Sequence, residues 1–249
     1  MATRKSGKNC GKRNVLENIL ARLRRERPDV HDPEAEIAAR RVFVAGAPIL
    51  SARAQVRADA ALVIESATVL RGTLKLRAAL AAFALDVHGK VALDLGASTG
   101  GFTVALLDAG AARVYAVDAG HGQLLGRLRQ DARVINLERT NLGELGPELV
   151  PGPVDVVTMD LSYLAIARAA AQLGTLHFAP DAALIALVKP MFELALDHAP
   201  TDDASLTRAV LQACAGLARH GWHVLASAAS PIPGGRGAIE AFVYARRAR

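Results

Sequence analysis

A glycine-rich turn in the middle of the chain lies between two short apolar runs that carry carboxylates. The first run, Val91–Leu95, contains Asp94, and the second, Val114–Asp118, ends in an acid 24 positions later. Apolar runs of this length predict buried strands, and the glycines of the turn 96–101 let the backbone approach a ligand without a Cβ in the way. This is the layout of a nucleotide-like cofactor site in a doubly wound sheet. The glycine spacing differs, however, from the G-x-G-x-x-G of dinucleotide enzymes.

Four further charged residues lie at the ends of apolar runs or beside them. Lys75 is at the head of a predicted helix, Asp160 and Lys189 each end a predicted strand, and Glu240 lies in the last apolar stretch. Ligands of open α/β sheets bind outside the carboxyl ends of the strands, so Asp160 and Lys189 are expected there, beside the two acids of the glycine turn. Any one of these charges alone is more often a solvated surface residue, but four in register with the turn favour a functional site.

The elements that must position these residues alternate between strands and helices from residue 70 onward. Such alternation predicts an α/β fold, with a Rossmann-like, mostly parallel sheet covered by helices on both faces. Two β-rich runs, 222–228 and 239–246, are separated by prolines and glycines and predict a closing antiparallel hairpin. The other predicted strands are 91–95, 114–118, 133–136, 154–160 and 183–188, and the predicted helices are 75–85, 102–109, 122–130, 162–173 and 205–220.

The positive charge of the chain is concentrated in its first quarter. Residues 1–57 hold 13 Lys/Arg and 6 Asp/Glu, whereas residues 58–249 hold 17 and 18. A basic segment before a nearly neutral one favours a unit that binds a polyanion followed by a unit that does chemistry. The alternative is a basic tail that only aids solubility.

Three segments are expected along the chain. Residues 1–13 predict a disordered basic tail, residues 14–66 a small α+β module, and residues 67–249 the α/β domain. The predicted elements of the small module are helices over 14–27 and 34–41, two strands within 42–50 and a third over 61–65.

Several classes of protein are disfavoured by composition. The two cysteines, Cys10 and Cys214, fit no metal-binding or disulfide pattern, which predicts no metal site and a reducing compartment. The first residues lack the apolar core of a signal peptide, and no apolar run approaches the roughly 20 residues that a spanning helix needs. We therefore expect a cytoplasmic protein without a membrane partner.

Six stretches of the sequence together resemble one enzyme family, the hemolysin-A-like (TlyA-type) ribosomal RNA 2′-O-methyltransferases, which are related to the FtsJ/RrmJ enzymes. The resemblance implies a methyltransferase domain that uses S-adenosylmethionine (SAM), preceded by a small RNA-binding module that is divergent here. It also implies ribosomal RNA or ribosomal subunits as partner and a cytidine ribose as target. The stretches are Arg-Gly-Thr-Leu-Lys-Leu (71–76), Asp-Leu-Gly-Ala-Ser-Thr-Gly-Gly-Phe-Thr (94–103), Val-Tyr-Ala-Val-Asp-Ala-Gly-His-Gly-Gln-Leu (114–124), Met-Asp-Leu-Ser-Tyr (159–163), Val-Lys-Pro-Met-Phe-Glu (188–193) and Gly-Ala-Ile-Glu (237–240).

The family carries a Lys-Asp-Lys-Glu tetrad, and Lys75, Asp160, Lys189 and Glu240 fall on its positions in order. A ribose 2′-hydroxyl must lose or share its proton as it attacks a methyl group. A buried lysine can take that proton when desolvation or a neighbouring cation lowers its pKa. Our hypothesis is that Lys189 is the base, with Lys75 as the neighbouring cation and the two acids orienting both ammonium groups.

The resemblance also implies binding residues. Asp94 and the loop are expected at the methionine end of SAM, Asp118 at the ribose hydroxyls and the stretch 138–142 at the adenine. The implied cofactor residues are Asp94, Gly96, Ala97, Ser98, Thr99, Gly100, Gly101, Phe102, Asp118, Glu138, Asn141 and Leu142. The implied RNA-binding residues are Arg40, Arg41, Arg53, Arg57, Arg71 and Arg236.

Three alternatives remain open at this point. One is a non-catalytic RNA-binding or ribosome-assembly factor that keeps the fold, and another is a pore-forming hemolysin, which the absence of an amphipathic membrane helix disfavours. A third is a methyltransferase for a small molecule or a protein. The sequence does not decide which nucleotide is modified, whether the substrate is naked RNA or an assembled subunit, or the oligomeric state.

Overall fold

The computed structural model describes residues 15–30, 32–64 and 69–248, except for the side chain of Arg236. These residues form two compact units, which divide between residues 67 and 68. The expected basic tail, residues 1–13, lies outside the described residues.

The first unit is built from short elements. A two-stranded antiparallel pair, β1 with β4, and a three-stranded sheet of order β3-β2-β5 accompany two helices. The core contains Ile19, Leu23, Ile37, Val42 and Val56. In chain order the elements are β1 (Leu16–Asn18), α1 (Ile19–Glu26), α2 (Pro33–Ala38), β2 (Val42–Val44), β3 (Ala47–Pro48), β4 (Gln55–Arg57) and β5 (Leu62–Ile64).

The helix predicted over 14–27 begins later than expected, at Ile19. The Asn18 side chain accepts hydrogen bonds from the backbone amides of Leu20 at 2.9 Å and Ala21 at 3.3 Å, which caps the helix there. The residues before Asn18 instead pair with β4, a strand that was not predicted from the sequence. The prediction was wrong for this turn because an apolar spacing of four residues does not reveal a capping residue inside it.

The second unit contains one seven-stranded sheet with the order β11-β12-β10-β9-β6-β7-β8. Within this sheet β12 alone runs against its neighbours, and the others are parallel. The elements are α3 (Arg71–Ala82), β6 (Val91–Leu95), α4 (Gly101–Asp108), β7 (Arg113–Asp118), α5 (Gly126–Arg129), β8 (Val134–Glu138), β9 (Val154–Met159), α6 (Ile166–Ala171), β10 (Phe178–Val188), α7 (Pro190–Glu193), α8 (Asp203–Arg219), β11 (Trp222–Ala229) and β12 (Ala241–Arg247).

Two apolar clusters cover the two faces of this sheet. One cluster packs α6 and α8 against it, and the other packs α3 and α4. The predicted fold class, a Rossmann-like sheet with helices on both faces, is therefore confirmed. Because β6 lies between β7 and β9, the chain order reverses there, and the loops after these strands diverge into a crevice.

Two helices of the second unit are shorter than predicted. The helix expected over 122–130 spans only Gly126–Arg129, since the amides of Gln123 and Leu124 bond instead to the Glu138 carboxylate. The helix expected over 162–173 begins at Ile166. Residues 160–165 are therefore a loop at the carboxyl edge of the sheet, where their side chains are available to a site.

Candidate active site

The glycine-rich loop after β6 is held between the two neighbouring strands. The amides of Gly96 and Ala97 both donate to the carbonyl of Val117, at 2.9 and 3.0 Å. Gly96 has φ +82°, and a Cβ there would lie 2.5 Å from the carbonyl oxygen of Asp160. Only glycine allows this approach, so Gly96 brings the loop against the segment that carries Asp160.

The other loop glycines serve packing inside the protein. A Cβ on Gly100 would lie 2.1 Å from Leu128 Cδ1, and a Cβ on Gly101 would lie 2.9 Å from the Cα of Gly72. The expected reason for these glycines, a ligand approaching the backbone, is therefore incomplete, because Gly100 leaves room for Leu128 of α5 and Gly101 lets α4 pack closely on α3.

The loop side chains divide into buried and exposed ones. Phe102 is buried and packs against Phe242 with ring centroids 6.2 Å apart, and Ala97 is also buried. Ser98 and Thr99 are exposed. Of the implied cofactor residues in this loop, Ser98 and Thr99 thus offer side chains to a ligand, whereas Phe102 and Ala97 offer only backbone.

Asp94 lies beneath the loop and is completely buried. Its two oxygens accept hydrogen bonds from the hydroxyls of Thr103, at 2.7 Å, and Thr158, at 2.9 Å. Burial raises the pKa of Asp94 to about 6 despite these hydrogen bonds. Without exposed surface, Asp94 joins β6, β9 and α4 below the loop, and its place at the methionine end of SAM stays a prediction.

Asp118 lies at the carboxyl end of β7 and is partly exposed. Its oxygens accept hydrogen bonds from the amides of Ser98, at 2.8 Å, and Gly120, at 2.7 Å. A carboxylate has about four acceptor positions, so Asp118 retains capacity for ligand hydroxyls. Burial and the nearby charge of Asp118 raise the pKa of Tyr163, whose side chain is largely exposed and which the sequence reading did not assign to the site.

The side chains expected near an adenine contact neighbouring residues of the protein or are buried in the core. Glu138 accepts hydrogen bonds from the amides of Gln123 and Leu124 and pairs with Arg129 at 3.1 Å. Burial alone would raise the pKa of Glu138, but these partners lower it. Asn141 contacts Glu144, and Leu142 is buried in the core. Their side chains therefore shape this edge of the sheet, and only Asn141 among the three is well exposed.

The four tetrad residues form two ion pairs. Lys189 Nζ lies 2.6 Å from Asp160 Oδ1 and donates a hydrogen bond to Ser162 Oγ at 2.8 Å. Lys75 Nζ pairs with Glu240 Oε2, and these side chains are only 8% and 5% exposed. The sequence predicts one site for these four residues, and the structure adds the pairing and the contact of Lys189 with Ser162.

One cavity brings members of both pairs together. Lys189 and Glu240 line it, along with Ser162, and most of the remaining lining is apolar, including Met191, Phe192, Ala238 and Ile239. A polar end with an apolar wall suits a ligand that carries a hydroxyl on a planar or apolar body.

Glu193 is a second buried acid close to this cavity. Its Oε1 accepts a hydrogen bond of 2.5 Å from the amide of Ile166, the first residue of α6. Burial raises the pKa of Glu193. Glu193 therefore ties the segment after Lys189 to the loop that carries Asp160 and Ser162. The only sequence signal for it was its place at the end of the 188–193 stretch.

The arginines expected to bind RNA have different surroundings. Arg41 forms a two-point ion pair with Glu36, and Arg57 forms one with Asp59. Arg40 and Arg53 are exposed and have no ion pair among the residues that the structure describes. Arg71 donates to backbone carbonyls of the 230–240 segment. The side chain of Arg236 lies outside the described part of the chain.

The charge of the first unit is also distributed differently from the expectation. Within residues 15–64 there are 8 Arg and 7 Asp/Glu, so this segment is nearly neutral. Residues 1–14 hold five Lys/Arg and no acid, and they account for most of the excess positive charge.

The carboxyl edge of the sheet suits a cationic ligand with hydroxyl groups. Asp118 and Asp160 present partly exposed carboxylates there, and Ser98 and Thr99 add hydroxyls. SAM carries a sulfonium, an ammonium and a ribose diol, and the carboxylates can accept hydrogen bonds from the ammonium and the diol and balance the positive charge. The strand order, the glycine loop and these acids together define a SAM-dependent methyltransferase.

Comparison with known proteins gives the family. Residues 68–247 match the model of the FtsJ-like methyltransferases. A relative from Mycobacterium tuberculosis (strain CDC 1551 / Oshkosh), the 16S/23S rRNA (cytidine-2′-O)-methyltransferase TlyA, is 40% identical over 93% of this chain and 87% of its own. Hemolysin A of Brachyspira hyodysenteriae is 33% identical over 80% of this chain and 86% of its own. The chain belongs to the FtsJ-like methyltransferase family, and SAM is its methyl donor.

A solved structure shares the fold. A protein from Streptococcus thermophilus, provisionally named a hemolysin, superposes with a TM-score of 0.68 at 28% identity, covering 94% of this chain and 90% of its own. In the described part of the present structure, no helix has the length and apolar character needed to cross a membrane. No group of three or more metal-binding side chains occurs among the described residues.

Proposed function

We propose that this chain methylates the 2′-hydroxyl of a cytidine ribose in ribosomal RNA. The observation that carries the proposal is the pair of lysine–carboxylate contacts around one cavity at the carboxyl edge of the methyltransferase sheet. The relative at 40% identity is named for this reaction, and its similarity extends over 93% of this chain.

Lys189 is the proposed base. Asp160 and Ser162 both contact its Nζ, and Glu240 lines the same cavity. SAM, when bound, would supply an electrophilic methyl group, and breaking its methyl–sulfur bond would leave the neutral thioether S-adenosylhomocysteine. The Lys189 amine, when neutral, accepts the proton of the 2′-hydroxyl as the hydroxyl oxygen bonds to that methyl group, and Asp160 then stabilises the ammonium that forms.

Lys75 and Glu240 have a supporting role in this proposal. Their ion pair is nearly fully buried, which fixes the Glu240 carboxylate beside the cavity.

We also propose that the first unit and the preceding residues contact RNA phosphates. Five Lys/Arg without an acid in residues 1–14 support this role, as do the guanidinium groups of Arg40 and Arg53, which have no ion pair within the described residues. The paired Arg41 and Arg57 contribute less. A substrate of this kind implies a cytoplasmic enzyme.

The test is transfer of labelled methyl from SAM to purified 30S subunits, 50S subunits and naked ribosomal RNA, followed by mapping of 2′-O-methyl positions. We expect label on a cytidine ribose in at least one of these substrates. Measurable SAM binding without label on any RNA would contradict the proposed acceptor. Failure to bind SAM would favour the non-catalytic RNA-binding alternative.

A further inference from the structure

The loop between β11 and β12, residues 230–240, carries Glu240 at its end and is attached to α3 at two points. At one point Arg71 Nη2 donates to the carbonyls of Pro233, at 2.5 Å, and Gly234, at 3.3 Å. At the other, Lys75 pairs with Glu240. We name residues 230–240 the hairpin loop.

The two attachments come from one face of α3. Residues 71 and 75 are four apart, and side chains at this spacing lie one above the other along a helix. Arg71 thus holds the first limb of the hairpin loop, residues 230–234, and Lys75 holds the end of the second limb, residues 238–240. The limbs are joined to each other by hydrogen bonds from the amide of Ser230 to the carbonyl of Glu240, at 2.9 Å, and from the amide of Gly234 to the carbonyl of Ala238, at 2.7 Å.

The limb that Arg71 holds also touches the carboxylate of Glu240. A Cβ added to Gly234 would lie 2.3 Å from Glu240 Oε1, so the backbone at Gly234 packs directly beside this oxygen. A shift of the Gly234 backbone therefore changes the packing contact of the Glu240 carboxylate. The same loop supplies Ala238 and Ile239 to the cavity that Lys189 lines.

We infer that Arg71 is a positioning residue for the hairpin loop, and that through this loop it sets the place of Glu240 and of one wall of the cavity. This replaces the expectation that Arg71 binds an RNA phosphate. Its effect on the rate rests on the proposed function, whereas its effect on the loop does not.

The first test compares Arg71→Met with Arg77→Met. Arg77 is on the same helix and pairs with Asp108 at the surface, so its substitution controls for the loss of one exposed cation. In Arg71→Met we expect the single-turnover methylation rate at saturating RNA to fall about 10- to 100-fold, the range that small misplacements in an active site produce. The Kd for SAM, and the salt dependence of RNA binding, should stay as in the wild type.

A phosphate contact by Arg71 would give the opposite pattern. RNA affinity would fall, the slope of log K against log salt would become shallower by about one, and the rate at saturating RNA would remain. That result would overturn the inference.

The second test needs no methylation and therefore separates this inference from the proposed function. We expect amide hydrogen exchange of Gly234 and Ala238 in the free protein to be at least about 10-fold faster in Arg71→Met than in the wild type or Arg77→Met, as expected for a local opening. Gly234→Ala should speed the exchange of Ala238 as well, because its Cβ would displace the limb. Unchanged exchange in Arg71→Met would overturn the inference even if the enzyme methylates RNA as proposed.

Discussion

The buried ion pair between Lys75 and Glu240 allows the most quantitative prediction. Its side chains are 8% and 5% exposed, so loss of one partner leaves the other charge buried without compensation. Removing one member of a buried pair typically costs about 3–5 kcal/mol, whereas replacing both members by neutral groups is often close to neutral. We therefore predict that Lys75→Met and Glu240→Gln each lower the free energy of unfolding by about 3 kcal/mol, and that the double variant lowers it by about 1 kcal/mol.

The assay is urea unfolding at pH 7, followed by the fluorescence of Trp222. This residue is the single tryptophan of the chain and is 1% exposed, so its emission reports the unit that contains the pair. The three variants and the wild type form a double-mutant cycle, with a predicted coupling energy of about 5 kcal/mol. Methylation should be lost in all three variants, which separates the contribution of the pair to stability from its contribution to the reaction.

Additivity would refute this reasoning. If the loss in the double variant equals the sum of the two single losses, with a coupling energy below about 0.5 kcal/mol, the two side chains do not compensate each other. An unchanged stability in both single variants would show that solvent reaches the pair.

Three further predictions concern the cofactor side of the site. Because the pKa of Asp94 is raised to about 6, its contribution to the free energy of unfolding is fully present below the unfolded pKa of about 3.9 and falls by about 3 kcal/mol as the pH rises through about 6. Urea unfolding of Asp94→Asn at a series of pH values should lack this decline, and a pH profile parallel to that of the wild type would contradict the assignment. Gly96→Ala should lower the free energy of unfolding by about 1–3 kcal/mol more than Gly89→Ala, because both glycines have positive φ but only a Cβ on Gly96 would clash, with the carbonyl oxygen of Asp160. Equal losses of unfolding free energy in the two variants would exclude the steric argument. Asp118→Asn should raise the Kd for SAM about 10- to 100-fold by calorimetry, as expected for a hydrogen bond to a charged acceptor, and a change below about twofold would remove Asp118 from the binding site.

Much of the second unit could be predicted because each strand is a short apolar run bounded by glycines, prolines or charges. Strand β6 has the predicted bounds, 91–95, and β7 begins one residue earlier than predicted. The ends of the strands placed Asp118, Asp160 and Lys189 at one edge of the sheet, which is a consequence of parallel topology. Each of these predictions depends on a pattern within a window of about ten consecutive residues.

The pairing inside the site could not be predicted from such patterns. Lys75 and Glu240 are 165 residues apart, and only the packing of α3 against the end of the sheet brings them together. The same holds for Gly101, which packs on Gly72, and for Asp94, whose burial between two threonines was invisible in the sequence. In the first unit, strand β4 was missed because it has three residues, of which only the middle one, Val56, is buried, so it lacks an apolar run.

The most direct test of the central claim is the identity of the methylated nucleoside and its dependence on Lys189. Ribosomal RNA methylated by the wild type, Lys189→Met or the surface control Lys90→Met is digested to nucleosides and analysed by mass spectrometry, and SAM binding is measured for each variant. We predict 2′-O-methylcytidine from the wild type and Lys90→Met, none from Lys189→Met, and SAM affinity within about threefold in all three. Methylation on a base, or 2′-O-methylcytidine formed by Lys189→Met at the wild-type rate, would contradict the account.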